Sequence, residues 1–172
     1  SNSRLILSGF GDIMAFINAR KDWGESPDGK LNHNGFVNTC IDTIIETLVT
    51  IDLTKSFSEW VSDYVFIQCL LCHITDWVGS APASGAEHLF AKCIEKDLGS
   101  PPLHGEMVAL GVFIYQYVRG DDITLVRTLL DKFSISISLK QLGVTESAVV
   151  KALEGAHVEG LRKGRNTLLD QP

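Results

Sequence analysis

The sequence predicts an all-α fold, a helical bundle. Apolar residues recur at i, i+3 and i+4 along most of the chain, the spacing of one helix face, as in Val37, Ile41, Ile44, Ile45, Leu48 and Val49. The one alternating stretch, Ser134 to Leu139, stands alone, with no second strand to satisfy its backbone groups, so it reads as an extended connector. A chain of 172 residues with 45% apolar and 21% charged residues, three Trp and eight Phe, suits one folded domain with a real core.

The elements follow in order. Arg4 to Leu7 reads as a short apolar approach, and a helix is expected to begin near Asp12, where Ile13, Met14, Phe16 and Ile17 take up helical spacing. Gly24 to Gly35, rich in Gly, Asn, Pro and Asp, reads as loop. Phe36 to Leu53 is the second helix. Ser56 to Val78 is the third, with Phe57, Trp60, Val61, Tyr64, Ile67, Leu70 and Leu71 as its apolar face. The stretch from Gly79 to Gly85 breaks that helix, and Ala86 to Lys96 restarts one that stops before Leu98 to Pro102. Leu103 to Val118 is almost wholly apolar and is expected at the centre. Shorter helices follow at Asp121 to Phe133, Gln141 to Gly143 and Ser147 to His157.

Composition excludes some roles. A net charge of −6, with no Lys/Arg-rich run, disfavours a nucleic-acid partner. A membrane-spanning helix needs about 20 apolar residues; the longest runs, Val65 to Ile74 and Met107 to Val118, fall short. No signal-peptide pattern opens the chain, and Cys40, Cys69, Cys72 and Cys93 read as buried free thiols, which points to a reducing cytoplasm. His33 and His73 read as a loop and a core residue.

Three places pair Gly-rich backbone with a metal-competent side chain: Gly9-Phe10-Gly11-Asp12, Ser84-Gly85-Ala86-Glu87-His88 and Leu103-His104-Gly105-Glu106. Glycine allows close approach of helices, so ligands distant in sequence can converge on one ion. One carboxylate and two imidazoles suit Zn²⁺ or another divalent cation and leave positions open for substrate. Each residue also has an ordinary reading. Asp12 alone reads as a helix N-cap, His88 and His104 as interior or capping histidines, Glu106 as a first-turn acid or a carboxylate that orients His104, and Trp23 as packing.

Four segments shift the balance: SGFGDIMAFINARKDW (8 to 23), APASGAEHLF (81 to 90), LHGEMVALG (103 to 111) and the blocks between 117 and 169. In order and separation they resemble the glycerol-1-phosphate dehydrogenases, relatives of the iron-type alcohol dehydrogenases and dehydroquinate synthases. Those proteins have an N-terminal α/β nucleotide-binding domain followed by an α-helical metal-binding domain, and this chain resembles the second. The resemblance implies that Asp12, His88 and His104 hold a divalent metal, usually Zn²⁺, in a domain spanning the whole chain. It implies hydride exchange between NAD(H) or NADP(H) and a small phosphorylated polyol, dihydroxyacetone phosphate being interconverted with sn-glycerol 1-phosphate. Ser84, His157 and Arg165 are the expected substrate contacts, and a homo-oligomer is expected by the same analogy.

Two positions depart from the family pattern. Lys92 stands where a second His usually follows the first metal His by four residues, and Ala81 stands where an Arg is common. Lys92 is the candidate to take over proton handling or phosphate contact. Alternatives are a dehydroquinate synthase-like lyase or cyclase, against which the Asp at the first ligand position argues, and a degenerate domain that binds without turnover. No GxGxxG turn holds a dinucleotide here, so the cofactor half is expected upstream of Arg4 and the fragment alone is expected to be inactive.

Overall fold

The computed structural model describes residues 2–26 and 35–164, and the description below is confined to them. They form nine α-helices and one 3₁₀ turn, and no strand occurs among them. The all-α expectation holds. In order these are α1 (Asn2–Ile13), α2 (Phe16–Glu25), α3 (Gly35–Thr50), α4 (Phe57–Val78), the 3₁₀ turn (Ala81–Ala83), α5 (Ala86–Asp97), α6 (His104–Arg119), α7 (Thr124–Lys132), α8 (Leu139–Leu142) and α9 (Glu146–Arg162).

Helix α6 is the centre, as its apolar run predicts. Every residue from Gly105 to Val112 is buried, as are Tyr115 and Gln116. Helix α1 packs on one side of it and α5 on another, and α9 covers α5. The 3₁₀ turn, with Pro82 buried, seats against α2, and α3 pairs with α4. Gly120, at φ +73°, closes α6 in the left-handed conformation that glycine adopts without strain.

Several expectations are corrected. The first helix does not begin near Asp12; α1 already runs from Asn2, and Asp12 lies in its last turn. Gly9 and Gly11 are helical and serve close approach, not a break. A Cβ on Gly9 would stand 2.7 Å from the Tyr64 hydroxyl, and one on Gly11 would stand 2.4 Å from the Gly105 carbonyl oxygen. The chain turns at Met14 and Ala15, where the Ala15 N–H donates to the Asp12 carbonyl at 3.2 Å, and α2 follows. Gly24 falls inside α2 and Gly35 opens α3, against the loop expected at both; residues 27–34 of that expectation, His33 among them, lie outside the described residues.

Helix α4 buries less than its periodicity suggests. Ile67 and Ile74 are its fully buried residues, whereas Phe57, Val65, Phe66 and Trp77 are exposed. Cys69 and Cys72 lie on this outer surface, so only Cys40 matches the expectation of buried thiols; Cys93 is half-buried, and all four are free. His73 is likewise exposed and not a core residue. Trp23 packs in the core as read. Ser134 to Ser138 is a connector, with Ile135 buried and touching the crossing of α1 and α6. No described helix is long and apolar enough to cross a membrane.

Candidate metal centre

Helices α1 and α6 cross where two glycines remove the side chains. A Cβ on Gly105 would stand 1.8 Å from the Ser8 carbonyl oxygen, so the two backbones touch directly. Asp12 follows Gly11 and His104 precedes Gly105, and the contact therefore brings both to one end of the crossing. Gly111 does similar work for α5, where an added Cβ would meet the Glu87 backbone at 3.0 Å. His88, in the first turn of α5, arrives beside the other two.

The ligand atoms of Asp12, His88 and His104 lie within 4.8 Å of one another. His88 Nε2 is 3.1 Å from Asp12 Oδ1, His104 Nε2 is 3.5 Å from the same oxygen, and the two imidazole centroids are 5.5 Å apart. A tetrahedral site with bonds of about 2.0–2.1 Å has ligand atoms about 3.3 Å apart. The two distances to Asp12 bracket that edge, so this donor set fits a divalent cation.

Carboxylates hold both rings from behind. Glu87 Oε1 lies 3.0 Å from His88 Nδ1, and Glu95 Oε1 lies 2.6 Å from His104 Nδ1. Glu87 is fully buried and accepts from the Gly85 N–H at 2.6 Å and from Asn18 Nδ2 at 2.7 Å. Beside it, Asp22 accepts from the Ala86 N–H at 3.0 Å and from Arg119 Nη2 at 2.8 Å. Gly85 makes room for both acids, since a Cβ there would stand 2.7 Å from Asp22 Oδ2 and 2.9 Å from Glu87 Oε2. The backbone N–H groups opening α5 are thus taken by protein carboxylates, as a helix N-terminus favours.

The charges are set by these contacts. Burial pushes the Asp12 carboxyl upward, but the hydrogen bond and charge of His88, with the charges of His104 and Lys92, outweigh it and hold Asp12 below its ordinary value. Burial works against the charged His88 ring, yet hydrogen bonds to Asp12 and Glu87 and their charges raise it to about 9. The two carboxylates, one on each ring nitrogen, therefore favour the protonated His88 ring. A metal ion bound at Nε2 would require the neutral ring and so displace a proton.

The other expected site residues fall as follows. Lys92 is exposed, one turn beyond His88, and its charge reaches Asp12. Ser84 sits half-buried at the end of the 3₁₀ turn that Ala81 begins. His157 is half-buried on α9, and Arg165 lies outside the described residues. Glu106 does not orient His104. Its carboxylate pairs with Arg4 at 2.8 and 2.9 Å and accepts from the Leu103 N–H at 3.1 Å. Residues two apart on a helix do not face each other; Glu106 turns to Arg4 near the start of α1, while His104 reaches Asp12 at its end. The N-cap reading of Asp12 is also overturned, because it stands at the C-terminal end of α1, where a carboxylate opposes the helix dipole. Sequence reasoning missed Glu95, although its place seven residues after His88, on the same helical face, was a usable signal. It also left Glu87 without a role, although that residue lies within the quoted block.

No protein-family model matches the chain. Curated relatives do. A Hyperthermus butylicus protein is 31% identical over 173 residues, 98% of this chain and 49% of its own length. One from Saccharolobus islandicus is 32% identical over 174 residues, 98% and 49%, and one from Sulfolobus acidocaldarius 30% over 171, 96% and 48%. Each is named glycerol-1-phosphate dehydrogenase [NAD(P)+]. The chain spans about half the length of the curated relatives it matches, and over that span it is similar to the glycerol-1-phosphate dehydrogenases.

Proposed function

We propose that this chain is the metal-binding domain of an NAD(P)-linked dehydrogenase acting on a small phosphorylated polyol, interconverting dihydroxyacetone phosphate and sn-glycerol 1-phosphate. The observation that carries the reading is the convergence of Asp12, His88 and His104, from three separate helices, within 4.8 Å. A divalent ion held there, Zn²⁺ by its fit to one carboxylate and two imidazoles, would supply Lewis-acid polarisation of the substrate oxygen as hydride moves to or from nicotinamide.

This chain's own residues would do the rest. Glu87 and Glu95 orient the two imidazoles. Lys92 offers an ammonium one turn from His88 and serves as the phosphate contact or proton carrier; Ser84, His157 and Arg165 complete the substrate contacts. The dinucleotide would be held by a separate α/β half, and the working protein is a cytoplasmic homo-oligomer in this reading.

The test uses the intact protein. Reduction of dihydroxyacetone phosphate by NADH or NADPH should disappear on chelation, return with Zn²⁺, and be absent in a His88→Ala, His104→Ala double variant. Lys92 and Ala81, at positions where the family has His and Arg, favour a second reading, a domain that binds without turnover. Cation uptake without reduction of any phosphorylated three-carbon ketone would establish that one instead.

A further inference from the structure

We infer that Glu95 is the positioning residue of this centre, holding His104 by Nδ1 so that Nε2 faces Asp12; the inference rests on the metal-binding reading above. The two imidazoles are held in different ways. The His88 side chain is only 12% exposed, and its orienting carboxylate, Glu87, is fully buried and tied down by Gly85 and Asn18. Packing alone would keep that ring in place. The His104 side chain is 42% exposed at the first residue of α6, so packing holds its ring less closely than that of His88. What holds it is Glu95, at 2.6 Å.

Glu95 is suited to that task. It lies on α5 two turns beyond His88, so one helix supplies both a ligand and the group that orients the other ligand. Its side chain is three-quarters covered, which limits its own freedom. A carboxylate beside Nδ1 sets the ring proton there and leaves the Nε2 lone pair for a cation, the usual arrangement behind a metal-bound imidazole. Loss of such a partner typically weakens metal affinity by about 10- to 100-fold.

The test is Co²⁺ binding to the intact protein, followed by its visible absorption, with Glu95→Ala, Glu95→Gln and, as a control at an exposed carboxylate of α9, Glu154→Ala. Glu95→Ala should weaken Co²⁺ by about 10-fold or more and shift its absorption bands. Glu95→Gln, which keeps an acceptor but not the charge, should fall between it and the wild type. The metal-free melting temperature should be unchanged in all three. Unchanged affinity and bands in Glu95→Ala would overturn the inference alone, as would an affinity loss matched by an equal loss of metal-free stability in both Glu95 variants. A wild type that takes up no Co²⁺ would overturn the metal reading and the inference with it.

Discussion

Replacing Gly105 with Ala tests the geometry on which the centre depends. The added methyl would start 1.8 Å from the Ser8 carbonyl oxygen and 2.7 Å from its carbon, against about 3.4 Å for ordinary contact. Both obstacles are backbone, so no side chain can swing aside and the helices must part by roughly 1.6 Å. Overpacking a filled core costs about 1–3 kcal/mol, and a backbone clash belongs at the upper end. Ala gains about 1 kcal/mol over Gly in a helix, which leaves a net loss of about 2 kcal/mol, or roughly 4–8 °C in melting temperature for a domain of this size. The same displacement carries His104 away from Asp12, so cation affinity should fall as well. The assay is thermal unfolding with and without Zn²⁺, beside Gly24→Ala, where a Cβ meets nothing within 4 Å. Gly24→Ala should be neutral or stabilising. Gly105→Ala with wild-type stability and wild-type Zn²⁺ binding would refute the argument that this glycine contact assembles the site.

Asp22 gives a prediction in pH. Burial above all, with help from the charge of Glu87 and against the pull of Arg119 and the Ala86 N–H, raises its carboxyl to about 6. The folded state therefore binds this proton more tightly than the unfolded one. Its stabilising contribution is complete below about 4 and is lost as pH rises through 6. Relative to Asp22→Asn, the wild type should lose stability between pH 4 and 6 and then level off; a constant difference, or a gain with pH, contradicts the assignment. Thiol chemistry gives another. Cys69 and Cys72 are exposed, whereas Cys40 is buried with its thiol pushed up by desolvation. A thiol reagent should modify the α4 pair first and Cys40 only on unfolding, as followed by mass spectrometry of peptides.

Much of the fold was legible because apolar period and glycine punctuation agree from α3 onward. The beginning was not, because Gly9 and Gly11 look like breaks in one dimension and are helix contacts in three. The outer surface of α4 shows the other limit. Periodicity identifies an apolar helix but not which of its residues find partners, so Phe57, placed on the apolar face, and Cys69, read as a buried thiol, are exposed. The three candidate ligands were legible because each adjoins, or lies close to, a glycine that a close crossing requires. Their orienting carboxylates were not. Glu106 was read as a possible partner of His104 from nearness in sequence, while the seven-residue spacing of Glu95 from His88 puts it on the ligand face and the crossing of α5 and α6 brings it to His104.

The central claim is that Asp12, His88 and His104 form one metal site, and metal content measures it directly. After purification in Zn²⁺ and exhaustive dialysis, elemental analysis should find about one ion per chain, and none in the His88→Ala, His104→Ala variant. Equal metal in both proteins, or no retained ion and no Zn²⁺ shift in the wild-type melting temperature, would contradict it.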